Sequence, residues 1–139
     1  MKVPALLCGM VCGISAAQAA PPNMNPGMWE ITTRMEMPGL PAQMPPQSIR
    51  HCYKAEDLKE SRDALPADKT CKIDDFKQEG NTVRWKMSCK GDEGPMSGSG
   101  EITYAGQSYS GAVAMTGKAG GQAFNVSQKY SGKRVGECK

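Results

Sequence analysis

The chain has 139 residues, with 17 lysines and arginines against 14 acidic residues and a single histidine. That length bounds one domain, and the near balance of charge gives no electrostatic case for binding nucleic acid or an anionic membrane surface. Six cysteines and ten methionines are the compositional peculiarity of so short a chain.

Taken in order, the chain opens with Lys2, an apolar run from Val3 to Ile14, and a small-residue exit from Ser15 to Ala20. This is the layout of a secretory signal peptide, too short and wrongly flanked for a membrane span. Ala17-Gln18-Ala19 satisfies the A-x-A rule, so residues 1–19 are expected to be removed and the product to be periplasmic or secreted. Leu7 and Val11 precede Cys8 and Cys12, where lipidation requires a small residue. The remaining chain keeps 16 basic and 14 acidic residues and four cysteines, Cys52, Cys71, Cys89 and Cys138. In an exported domain an even count reads as two disulfides, with three pairings open. The close C-x-x-C pairs of common zinc motifs are missing.

Residues 20–27 are rich in Pro and Asn and predict a flexible lead-in, so the folded domain is expected to run from 28 to 139. Met28 to Met37 predicts the first strand, with Trp29, Ile31 and Thr33 on one face and Glu30, Thr32 and Arg34 on the other. Pro38 to Gln47 holds four prolines and a glycine, which excludes a regular ladder. Ser48 to Tyr53 predicts a short second strand. Ala55 to Glu60 predicts one or two helical turns with acids at the start, weakly capped by Tyr53 or Lys54.

Cys71 to Cys89 predicts a β-hairpin about Gly80-Asn81. Val83, Trp85, Met87 and Cys89 alternate with polar residues, whereas Phe76 breaks parity with Cys71 and Ile73. One extra residue at Asp74-Asp75, a β-bulge, restores it. Phe76 then faces Trp85, Ile73 faces Met87, and Cys71 falls opposite Cys89. This register favours a Cys71–Cys89 bridge and leaves Cys52 for Cys138. Gly91 to Pro95 reads as a polar turn. Ser97 to Ala105 and Ser108 to Thr116 predict a hairpin about Gly106-Gln107, with Tyr104 opposite Tyr109 and Ile102 opposite Gly111. Gly117 to Gly121 reads as the next turn, followed by a strand from Ala123 to Tyr130 with Val126 opposite Val113 and Phe124 opposite Met115. Lys133 to Cys138 is expected as a separate short segment. The whole is all-β with one short helix: an antiparallel meander forming a strongly curved sheet or a small barrel, held by two disulfides.

Three pieces, PGMWEITTRMEMPGLPAQMPPQSIRHC, CKIDDFKQEGNTVRWKMSC and GSGEITYAGQSYSGAVAM running to SGKRVGEC, resemble the small exported bacterial proteins grouped as domain of unknown function 3617. The marks are Pro26-Gly27 before Trp29-Glu30, the Met-Pro-Gly and Met-Pro-Pro loop, the four cysteines, Gly-Asn before Trp85 and the Gly-x-Cys end. Lys54 departs from the pattern, where Thr or Pro leads into the Glu-Asp pair. The resemblance implies a secreted, usually periplasmic, β-rich domain, and it carries neither an activity nor catalytic residues.

The residues offer little chemistry. His51 adjoins Cys52, and a disulfide sulfur is not a hydrolytic nucleophile. Asp74-Asp75 and Asp92-Glu93 are sequence neighbours, and nothing sets them at the separation of a glycosidase pair. Gly117 to Gly121 lacks the following Ser or Thr of a phosphate loop. No enzyme activity and no cofactor are expected. Two binding chemistries remain. Thioethers are soft ligands suited to Cu(I), so Met35, Met37 and Met44 with His51 form a candidate metal set for a periplasmic copper carrier. Alternatively, an inner face that mixes Trp29, Ile31, Phe76, Trp85, Tyr104, Tyr109, Phe124 and Tyr130 with small residues can leave room for an apolar ligand, as in a lipocalin-like carrier. The primary expectation is an exported, disulfide-stabilised β-domain serving as a binding or structural module of the cell envelope. Its partner would be an envelope protein or a small apolar ligand.

Overall fold

A computed structural model describes residues 21–39, 44–62, 65 and 69–139. The expected leader and the middle of the proline-rich loop lie outside the described residues.

Seven strands form one antiparallel sheet. They are β1 (Gly27–Glu36), β2 (Gln47–Tyr53), β3 (Cys71–Glu79), β4 (Thr82–Gly91), β5 (Gly94–Tyr104), β6 (Ser108–Ala119) and β7 (Gln122–Gly136). The spatial order is β2-β1-β7-β6-β5-β4-β3. Strands β3 to β7 thus run as an uninterrupted meander, and the β1–β2 hairpin joins it where β1 pairs with β7. Edges β2 and β3 do not pair with each other, so the curved sheet stays open rather than closing into a barrel.

Period-two alternation decides which face is buried. On β4, Val83, Trp85, Met87 and Cys89 are buried while Arg84, Lys86, Ser88 and Lys90 are exposed. The β3–β4 register is the predicted one, with Cys71 opposite Cys89, Ile73 opposite Met87 and Phe76 opposite Trp85, and the register shift falls between Ile73 and Asp75. The β5–β6 pairing also places Tyr104 opposite Tyr109 and Ile102 opposite Gly111. Both disulfides form as the register favours, Cys71–Cys89 and Cys52–Cys138. The second ties edge strand β2 to the residues after β7, with β1 lying between them.

A recurring device bends the sheet. On the inner face, large side chains stand directly opposite glycines: Trp85 opposite Gly100, Ile102 opposite Gly111, Met115 opposite Gly98, Phe124 opposite Gly117 and Tyr109 opposite Gly132. A Cβ at any of these glycines would collide with its partner. Each large side chain lies across the neighbouring backbone, which thins the inner layer and lets adjacent strands wrap round a small core. Trp29 and Val83 are fully buried at its centre. Leu58 and Leu65, from the connection between the two edge strands, and Met24, from the lead-in, complete the core.

Four expectations change. The β6–β7 register is displaced by two residues, with Met115 opposite Val126 and Gly117 opposite Phe124. The turn is the two-residue Gly120-Gly121, both at positive φ, and Gly117 belongs to the strand because Phe124 needs its bare backbone. A two-residue slip keeps every side chain on its intended face. Lys133 to Gly136 is no separate segment but the end of β7, pairing with β1. The short helix is a single 3-10 turn, Ala55–Leu58, in which the Asp57 carboxylate accepts from the Lys54 backbone N–H at 2.9 Å. In place of a free lead-in, Met24 is buried and bridges Gly106, whose N–H donates to the Asn23 carbonyl at 2.7 Å. No helix among the described residues is long and apolar enough to cross a membrane.

Candidate functional site

A hollow on the buried face of the sheet is lined from β1, β2, β5, β6 and β7. On β1, Ile31 and Thr33 point inward with Trp29; across on β2, His51 pairs with Trp29 and Ile49 with Ile31. On the other flank Tyr130 pairs with Thr33. Together with Tyr53, Tyr104, Tyr109 and Ile102, and with Met24 and Leu65 closing over them, these residues line a cavity of about 320 Å³. The chain has four tyrosines and one histidine, and all five line this cavity.

The rings are packed against one another. Tyr109 stacks on Trp29 at 5.5 Å, and Tyr53 meets the same indole edge-on at 6.3 Å. His51 meets Tyr53 at 4.5 Å, and Tyr104 lies 6.0 Å from Tyr109. Trp29 is anchored because its Nε1 donates to the Asn25 carbonyl at 2.9 Å. The hydroxyls are committed differently. Those of Tyr53 and Tyr109 share a hydrogen bond, and Tyr130 donates to Gln128 Oε1. The Tyr104 hydroxyl is buried without a partner. Burial pushes all four phenols above the ordinary tyrosine value, Tyr104 up to about 12. At neutral pH the cavity therefore holds only protonated phenols, which serve as hydrogen-bond donors. None of its lining residues is Lys, Arg, Asp or Glu.

Against this geometry, the family model for the protein of unknown function DUF3617 matches residues 24–138. The chain belongs to this family. No curated protein and no solved structure matches it. The DUF3617 match begins at Met24, which closes the cavity, and ends at Cys138, the outer half of the long-range bridge.

The candidate metal set of this DUF3617 chain is only partly gathered. Met35 follows Trp29 at even spacing along β1 and shares its face, while Met37, just past the end of the strand, and Met44 are exposed. His51 stands opposite Trp29, six residues from Met35 along the strand, or roughly 20 Å. The methionines thus sit at one end of the sheet and the histidine at the cavity. Among the described residues no three His, Cys, Asp or Glu side chains are grouped as a metal site. Asp74 is the bulged residue and its carboxylate accepts from the Ser88 hydroxyl.

A second hollow, of about 500 Å³, lies over the solvated side of β3 to β7 between Lys77, Lys86, Ser99 and Ala114. There Arg84 is already paired with Glu79 and Glu101. The sequence identified Tyr104, Tyr109 and Tyr130 as inward residues. It did not join them to Tyr53 and His51, because that wall forms only when β1 pairs with both β2 and β7. The clue available was compositional: every tyrosine falls at the inward parity of its strand.

Proposed function

We propose that this DUF3617 domain acts outside the cytoplasm as a binding module for a small, largely apolar molecule held on its concave face. The observation that carries the reading is the cavity itself, which takes all four tyrosines and the sole histidine of the chain into an uncharged wall. Its size is at the lower end of the range for small-molecule sites, and an apolar lining with a few polar groups is what such sites present. Export is supported by the leader read at residues 1–19 and by two disulfides, which persist in oxidising compartments. Binding without turnover suits the lining, where phenols and one imidazole face each other with no carboxylate to complete an acid–base pair.

The test is native mass spectrometry of the oxidised protein recovered from its export compartment, followed by titration with neutral apolar probes. A retained small molecule, or a change in Trp29 emission with saturating probe, is expected because Trp29 stacks on Tyr109 in the cavity wall. A clean apo mass together with flat fluorescence for every probe overturns the reading.

A further inference from the structure

The two edges of the open sheet are built differently. On β3 the register shifts between Ile73 and Asp75, and Lys72, Lys77 and Glu79 are exposed along the strand. A bulge and charged side chains are the usual protection of an edge against pairing with another chain. Edge strand β2 has neither the bulge nor the lysines. It pairs with β1 without a shift, from Gln47 opposite Thr33 through to Tyr53 opposite Gly27. Among the described residues its backbone bonds to no other strand. Gln47 to His51 are all exposed, and Ile49 is 62% exposed, more than Met37, Met44 or Val135. Arg50, the strand's charged residue, is matched within the chain by Glu30 at 3.8 Å.

We infer that β2 is a self-association edge, at which two copies of this chain pair β2 with β2, antiparallel about a twofold axis at Ile49. Their sheets then join into one. Residues directly opposite in such a ladder share a face, so only registers that oppose residues of the same parity are open. A register centred on Arg50 sets two guanidinium groups directly opposite each other, which destabilises a ladder. It also runs the pairing over Cys52, which the bridge to Cys138 already occupies. Centred on Ile49, isoleucine meets isoleucine, Ser48 meets Arg50 and Gln47 meets His51. That ladder ends where Pro46, with no N–H to give, begins. Three features select a second copy as the occupant. The strand is complementary to itself in this register. Its charge is already paired within the chain, so it carries no field to draw an acidic or basic partner. The bulged, charged β3 resists pairing with β2, so association closes at two instead of running on as a filament. Pairing covers the exposed isoleucine and brings the second copy against Ile49 and His51, which belong to the cavity lining. Self-association through β2 is independent of what the cavity binds.

The experiment is sedimentation velocity on the oxidised wild-type protein and on Ile49→Lys, from roughly 1 µM to 500 µM. Amide hydrogen exchange of wild type is measured at both ends of that range. Wild type is expected to pass from one chain to two as concentration rises, and alternate amides of residues 47–51 to gain protection while those of β3 stay unchanged. Ile49→Lys changes an exposed position and sets two ammonium groups opposite each other, so it is expected to weaken dimerisation at least about tenfold. A wild type that stays monomeric throughout overturns the inference. So does a dimer equally tight in Ile49→Lys, or one whose new protection falls away from β2. Species larger than two chains that grow with concentration also overturn it, because the association would then not close. Should Ile49→Lys fail to fold, the wild-type exchange pattern decides, by whether the new protection appears in β2.

Discussion

The glycine opposite Trp85 offers the sharpest test of how this sheet bends. An alanine at Gly100 would place its Cβ 2.5 Å from Trp85 Cε2 and 2.7 Å from Cη2, distances that real Cβ atoms do not occupy. The indole is only 2% exposed, so it has nowhere to go without disturbing Val83 and Met87 on the same strand face. Overpacking of this kind costs about 1–3 kcal/mol. Replacing a strand glycine returns about 0.5–1 kcal/mol through the unfolded chain. The net expectation for Gly100→Ala is a loss of about 1–2 kcal/mol, or roughly 4–8 °C in melting temperature for a domain of this size. Trp85→Phe shortens the ring that collides and removes the orphaned Nε1–H, at a cost of about 1–3 kcal/mol for the lost volume. The added methyl should refill part of that space, so the double variant should be more stable than the sum of the singles by about 1 kcal/mol. Urea melts followed by circular dichroism measure all four corners of the cycle. Additive costs, or a Gly100→Ala protein that is more stable than wild type, would refute the reasoning that the glycine exists to receive the indole.

The two disulfides should contribute unequally. Residues 52 and 138 are separated by 86 positions and residues 71 and 89 by 18, for which chain entropy gives about 4.6 and 3.2 kcal/mol. Paired Cys→Ala variants in denaturant melts should preserve that order, and a reversed order would show that packing of the buried Cys89 outweighs loop length. Alkaline stability should report the phenol cluster. Burial raises the folded tyrosines above their unfolded value, so their contribution is fully present below pH ~10 and is lost as pH climbs toward about 12 for Tyr104. The tyrosinate absorbance should rise together with loss of ellipticity. Four phenols titrating near pH ~10 in a protein that stays folded would contradict the buried cluster.

Local pattern carried much of this structure. The alternation of Val83, Trp85, Met87 and Cys89, the parity break at Phe76 and the tight turns at Gly80 and Gly106 are properties of neighbouring residues. They determine a hairpin, its bulge, its register and hence a disulfide, because strand pairing through a two-residue turn leaves no freedom of alignment. Tyr104, Tyr109 and Tyr130 were legible as inward residues by the same parity, whereas Tyr53 was not. What sequence alone could not decide was long-range. The placement of β1 beside β7, against which Thr33 meets Tyr130, joins residues about a hundred positions apart, and no turn dictates it. The glycines at 98, 100, 111, 117 and 132 could each be read locally as turns or weak points, and only the stacked strands show that each receives a large side chain. Met24 and Leu65 likewise look like members of loops, and become parts of a wall only when the sheet curls beneath them. The cavity belongs to that second class: its residues are spelled out along the chain, but its existence depends on how far the sheet bends before it stops short of closing.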